Sequence, residues 1–338
     1  MSNNLKKDIR KSSGTNSLMI LLFIVTILGI SFLLSLIFTK LPGYGTARMY
    51  TIQTMIIYIF QYAVLVPIIL LIYFKTKSGK AAPKLKSSFC KPKIPASQVI
   101  KWMVISLAVI YLSSYISTFI FTMIQLLTGQ TLHPATIDSN TSALNIFTNI
   151  LSVMFLAPIF EETFFRASLL RSCARYGSWS MIIAMGIMFG LWHVNYAQTI
   201  YTITLGICAG FLLIKSSSII PSLLLHFIMN TIGTIQTFII GNVDAQKLSS
   251  GDISYIMKNI TPVMISAIMG FLVIAIMITG LVLLVIELVR HRLDGFRLPS
   301  DYTEISEKRK LAVYFSSPIT IAVTAGLICF TVYNALFL

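Results

Sequence analysis

Acidic residues are scarce in this sequence: 11 Asp and Glu stand against 26 Lys and Arg in 338 residues. Charged residues of both signs make up only 11%, where a soluble protein carries about 25%. A chain so poor in charge cannot cover the surface of a globule of its length, which excludes a soluble enzyme. Cysteine is sparse as well. Cys90, Cys173, Cys208 and Cys329 are far apart and form no CxxC pair, so neither a secreted disulfide scaffold nor a thiolate metal site is built here. The zinc-protease helix HExxH and the nucleophile elbow GxSxG are both missing, which removes two familiar hydrolytic designs. No internal repeat of the kind that builds a transporter from inverted halves is visible.

Apolar residues are what the chain has in excess, at 56%. They fall in nine runs, approximately 18–39, 50–74, 99–127, 143–172, 178–196, 199–214, 219–240, 262–289 and 311–337. Runs of about 20 residues cross about 30 Å of hydrocarbon as helices. The expected fold class is therefore all-α, a polytopic transmembrane helical bundle of eight or nine spans in the cell membrane. The first run follows Lys6, Lys7, Arg10 and Lys11. It exceeds an ordinary signal-peptide core and lacks a convincing cleavage site, so it reads as a retained anchor. The run at 143–172 contains Pro158, which removes a helical donor and predicts a kink or break there.

The net charge of +15 follows the loops. Basic residues gather in the N-terminus, in 75–101, at Arg171 and Arg175, at Lys215, in 290–297 and at 308–310. These are alternate loops of one side; the other side receives Lys40, Arg48, Lys247 and Lys258. Such alternation predicts a cytoplasmic N-terminus and an anionic lipid bilayer as the partner of the basic loops, with no nucleic acid implied. The loop 75–98 is rich in Lys, Pro and Ser and reads as a lipid-facing connector. Residues 128–142 and 241–260 are expected to face outward. Three regions follow: N-terminal spans with a basic cytoplasmic loop (1–142), a core (143–240) and C-terminal spans (241–338).

The core holds polar residues that hydrocarbon would exclude unless they face a bundle interior or a wet cavity. In FLAPIFEETFFRASLL, Arg166 follows Glu162 by four residues, so the two can pair on one helix face. Glu161 points about 100° away and is left for another task. In FGLWHVNY, His193 follows Phe189 by four; in LLLHFIMN, Asn230 follows His226 by four. A structural ion pair with a spare acid, and histidines that merely bond neighbouring helices, are the plainer alternatives. The chemistry otherwise available is narrow. A carboxylate and an imidazole can hold and deprotonate water, while a second imidazole and a carboxamide can bond the oxyanion of a tetrahedral intermediate. That describes peptide-bond hydrolysis inside a bilayer.

With EExxxR at Glu161, Glu162 and Arg166, FxxxH at Phe189 and His193, and HxxxN at His226 and Asn230, the chain resembles the CAAX-prenyl-protease and bacteriocin-processing (CPBP or Abi) family of intramembrane proteases. The resemblance covers roughly residues 143–240. It implies that Glu161 and His193 activate the hydrolytic water, that His226 and Asn230 stabilise the oxyanion, and that Glu162 and Arg166 support the first glutamate. It also implies a small peptide or a membrane-protein tail as substrate, with maturation, quorum sensing or bacteriocin immunity as settings and a peptide exporter or sensor kinase as candidate partners. Zinc is the candidate cofactor, since Glu161, His193 and His226 could supply three ligands and leave one position for water; glutamate-activated water requires none. Two further readings stand beside the peptidase: a non-catalytic immunity or scaffold protein that binds a bacteriocin or sensor kinase, and a transporter or channel. Depth raises one difficulty. Counted at about 1.5 Å per residue from the basic side, Glu161 and His193 lie about 21–23 Å deep, but His226 only about 12 Å.

Overall fold

The computed structural model describes residues 2–132, 139–240, 243–290, 293–299 and 302–337. Among them there is no strand, and eight helices are long and apolar enough to cross a bilayer. Hydrocarbon offers the backbone no hydrogen-bond partner, so each run satisfies its own N–H and C=O groups as helix. The eight membrane-scale helices and the shorter α5 are, in chain order, α1 (Ser2–Phe38), α2 (Ala47–Lys75), α3 (Ala96–Thr128), α4 (Ala143–Tyr176), α5 (Ser178–Trp192), α6 (Tyr196–Ser216), α7 (Ile220–Ile240), α8 (Ile260–Arg290) and α9 (Pro318–Phe337). Parts of the expected outward loops (133–138 and 241–242) and Arg292 of the basic set lie outside the described residues.

The expected span at 178–196 is corrected. α5 has 15 residues, about 22 Å of rise, which is short of a full crossing. The chain turns after Trp192, with Val194 at φ +50, a left-handed conformation that costs a β-branched residue energy. The Asn334 side chain of α9 donates to the Val194 carbonyl at 3.2 Å. Asn195 then caps α6, its side chain accepting from the Ala197 N–H. α5 and α6 cross closely because three glycines meet there. A Cβ on Gly206 would stand 2.7 Å from Gly186 Cα, and one on Gly190 would stand 2.7 Å from the Thr199 carbonyl oxygen. Small residues at such a crossing let backbones touch where lipid gives no hydrophobic drive to associate. The last span is also shorter than expected, since Glu307–Tyr314 forms a separate helix before α9 begins at Pro318.

Pro158 does not break α4, which runs through 34 residues. The helix is π-wound over Ile150–Leu156 and again over Thr163–Leu170. In that register the Ala157 N–H bonds the Ser152 carbonyl, five residues back. The next donor in the ladder would be Pro158, which has none, so the Val153 carbonyl is left over. The Asn230 side chain of α7 donates to it at 2.8 Å.

α6 is the most buried of the spans, whereas α1 and α8 are the least and turn apolar side chains such as Phe32 and Phe271 outward. The basic loops share one face of the bundle. There Arg10 donates to Ser316 at 2.8 Å and the Trp179 indole to the Phe296 carbonyl at 2.9 Å. The connector between α2 and α3 is not a free lipid-facing strap. Its Ser88 carbonyl accepts from the Ile219 N–H and its Lys93 N–H donates to the Ser216 carbonyl, both at 2.8 Å. Connector residues therefore roof the α6–α7 turn, whose Ser216, Ser218 and Ile219 are fully buried. The turn is thus covered by protein, not open at the end of the bundle.

Candidate active site

Five helices contribute to a cavity of about 370 Å³ that Glu161, His193, His226 and Asn230 all line. Glu161 enters from α4, His226 and Asn230 from α7, and His193 from the turn after α5. Glu162 and Arg166 are not on the cavity wall. They lie behind it, paired at 3.2 Å with essentially no exposure. The two adjacent glutamates thus face different surroundings, one a cavity and the other a buried cation.

The hydrogen bonds fix orientations. Glu162 Oε1 accepts from His226 Nδ1 at 2.9 Å; a carboxylate only accepts, so the proton lies on Nδ1 and Nε2 is turned to the cavity. His226 Nε2 stands 3.9 Å from Glu161 Oε2. The other oxygen of Glu161 accepts from the Tyr62 hydroxyl at 3.0 Å, so Oε2 is the one left beside His226; it is buried and accepts no hydrogen bond from the described residues. His193 Nδ1 donates to the Phe189 carbonyl at 2.8 Å, which leaves its Nε2 as a lone-pair acceptor. Phe189 does more than begin a helical turn. Its ring lies 4.0 Å beneath the Arg166 guanidinium and meets both imidazoles edge-on, at 4.8 Å for His193 and 5.9 Å for His226. A cation over an aromatic face is attracted by the ring quadrupole, so Phe189 steadies the charge that holds Glu162.

The Asn230 side chain has two N–H groups. One bonds the Val153 carbonyl, and an amide nitrogen carries a second. For zinc, three donors must converge. Among the described residues no group of three His, Cys, Asp or Glu is gathered to hold a metal ion, so Glu161, His193 and His226 do not fit a three-ligand centre in this arrangement.

Tyr62 carries no sequence motif. It lies in α2, well before the core region, and only its spacing of four from Tyr58, with the two rings stacked at 6.3 Å, marks a shared face. Glu287 of α8 carries none either; it is buried and pairs with Lys101 at 2.8 Å, on the basic side and away from the cavity.

Residues 143–232 match the family model for type II CAAX prenyl endopeptidase Rce1-like proteins. No curated protein and no solved structure matches the chain. Over that part, from α4 into α7, the chain matches the CAAX prenyl protease family and its intramembrane protease fold; α1–α3, α8 and α9 lie outside the matched residues.

Proposed function

We propose that this protein is an intramembrane endopeptidase that hydrolyses a bond in a small peptide or protein tail by carboxylate-activated water. The observation that carries this reading is the division of labour on Glu161, a residue of the cavity wall: Oε1 is held by Tyr62 while Oε2 lies beside His226 with no donor among the described residues. A base needs that arrangement, with one oxygen fixed and one free at the reacting atoms.

In the reaction, a water donates one proton toward Glu161 Oε2 and the other toward His193 Nε2, both acceptors. Its oxygen attacks the peptide carbonyl carbon and Glu161 takes the proton. The oxyanion is held by the Nε2–H of His226 in its imidazolium form and by the second N–H of Asn230. Glu162 lies against both the imidazolium and Arg166, and with Glu161 the group carries two carboxylates against two cations. The carbon–nitrogen bond then breaks and Glu161 returns its proton to the leaving amine. No step passes through zinc. The cell membrane, multi-pass with a cytoplasmic N-terminus, is the proposed location.

The test is quantitative peptidomics of cells carrying wild type or Glu161→Gln at equal abundance. At least one peptide should be cleaved only in the wild type. Identical peptide profiles overturn the proposal.

A further inference from the structure

The cavity has a direction. On α4, which runs from the sparsely charged face at Ala143 to the basic face at Tyr176, the lining residues are Val153, Ala157 and Glu161. None lies beyond Glu161 toward the basic face. α7 runs the other way, and there His226 is the lining residue nearest the basic face, followed by Asn230, Gly233 and Gln236. On α6, which descends to the basic face, lining ends at Leu205 and extends back to Gln198. α2 and α3 agree: Tyr62 and Tyr111 are deepest, while Tyr58 and Ser114 lie farther from the basic side. Five helices give one answer.

Burial changes along the same axis. Just past the site toward the basic loops, Phe165, Ala209 and Ser222 are 0% exposed and Arg166 is 1% exposed. Beyond these, Leu169, Leu212 and the roofed turn are equally closed. In the opposite direction Asn230, Gln198 and Gln236 are half-buried and Gly233 is exposed. The walls there are neutral and polar, with Ser114, Gln198, Thr234 and Gln236 but no Lys or Arg. Amide and hydroxyl groups suit a peptide backbone, and with no cation to pair with it a terminal carboxylate gains nothing by entering.

We propose that the cavity is loaded from the extracytoplasmic face, so that the substrates are exported peptides or the extracytoplasmic segments of membrane proteins, taken as uncharged internal stretches. The side follows from two facts: the cavity lies away from the basic loops, and basic loops remain in the cytoplasm. The word substrate rests on the peptidase reading; the direction of access does not.

Labelling with a charged, membrane-impermeant maleimide tests access without any activity. The full chain is used with Cys90, Cys173, Cys208 and Cys329 replaced by Ser, and with Gln236→Cys, Ser114→Cys or Lys86→Cys added singly. The two cavity variants should label in intact cells as fully as after permeabilisation, and Lys86→Cys only after permeabilisation. Cavity cysteines that label only after permeabilisation, or under neither condition, overturn the proposal, as does Lys86→Cys labelling in intact cells. Two cavity positions guard against one variant failing to insert. If labelling is as expected while Glu161→Gln leaves the peptidome unchanged, the peptidase reading falls and outward access stands. If the Glu161-dependent cleavages lie in cytoplasmic segments, the substrate assignment is overturned.

Discussion

Glu162 and His226 are joined at 2.9 Å through Nδ1, and the same carboxylate oxygen lies 3.2 Å from Arg166. One buried acid therefore sets the imidazole's orientation and neutralises a guanidinium that is 1% exposed. Removing one partner of a buried pair leaves the other charged in a medium that cannot solvate it, at a cost of about 3–5 kcal/mol. Glu162→Gln is expected to lose stability on that scale, whereas Glu161→Gln, which leaves the Glu162 contacts to Arg166 and His226 in place, is expected to lose less. Thermal unfolding of both variants in the same detergent distinguishes them; equal melting would remove the supporting role from Glu162.

Asn230 and Pro158 form a second testable pair. Because Pro158 has no N–H for the Val153 carbonyl, Asn230 supplies one. Asn230→Ala should cost about 1–3 kcal/mol, the penalty of a buried acceptor left alone. Adding Pro158→Ala returns a backbone donor, so the double variant should regain stability. Peptide cleavage should stay low in the double variant if the second N–H of Asn230 meets the oxyanion. Recovery of cleavage together with stability would confine Asn230 to helix repair.

Tyr62→Phe removes only the hydroxyl that holds Glu161 Oε1. A hydrogen bond to a charged group contributes about 1.5–3 kcal/mol, or about ten- to a hundredfold in rate if it is lost only where the carboxylate acts. The expected result is a fall in kcat of that order with KM unchanged, measured on a peptide identified by peptidomics. A change in KM alone would make Tyr62 part of substrate binding.

On the basic face, Glu307 accepts from the Ser180 N–H at 2.8 Å and from Lys310 at 2.7 Å. Burial pushes its carboxyl up, but the bonds from Lys310 and Ser180 outweigh that and hold it below the usual carboxylate range. A carboxyl depressed by folding stabilises above its unfolded value and loses that contribution as pH falls. Acid should therefore loosen the 302–314 segment from α5 below about pH 5. Hydrogen exchange at Ser180 should rise over that range in the wild type, and Glu307→Gln should flatten the response.

The motifs carried much of the cavity and none of its frame. Glu161, His193, His226 and Asn230 could be chosen because each is a polar group in an apolar run, and the step of 100° per residue separated Glu161 from the Glu162–Arg166 pair. Tyr62 gave no such signal, for a tyrosine in a membrane helix is unremarkable until its partner is known. Periodicity is equally silent on π-winding, which the 143–172 pattern could not register and by which the helix continues through Pro158, where a kink or break is expected. Nor does the sequence of the α6–α7 turn reveal that it is covered. Hydrogen bonds from the connector at Ser88 and Lys93, far away in sequence, are what bury it. The short α5 was taken for a full span for a related reason: its stop at Val194 is secured by Asn334, 140 residues later.

That last contact bears on when the protein becomes competent. Asn334 lies 140 residues after Val194, so the bend between α5 and α6 gains this bond only once α9 has packed against it. A chain still being threaded into the bilayer holds all its motif residues but lacks this tie between α9 and the bend.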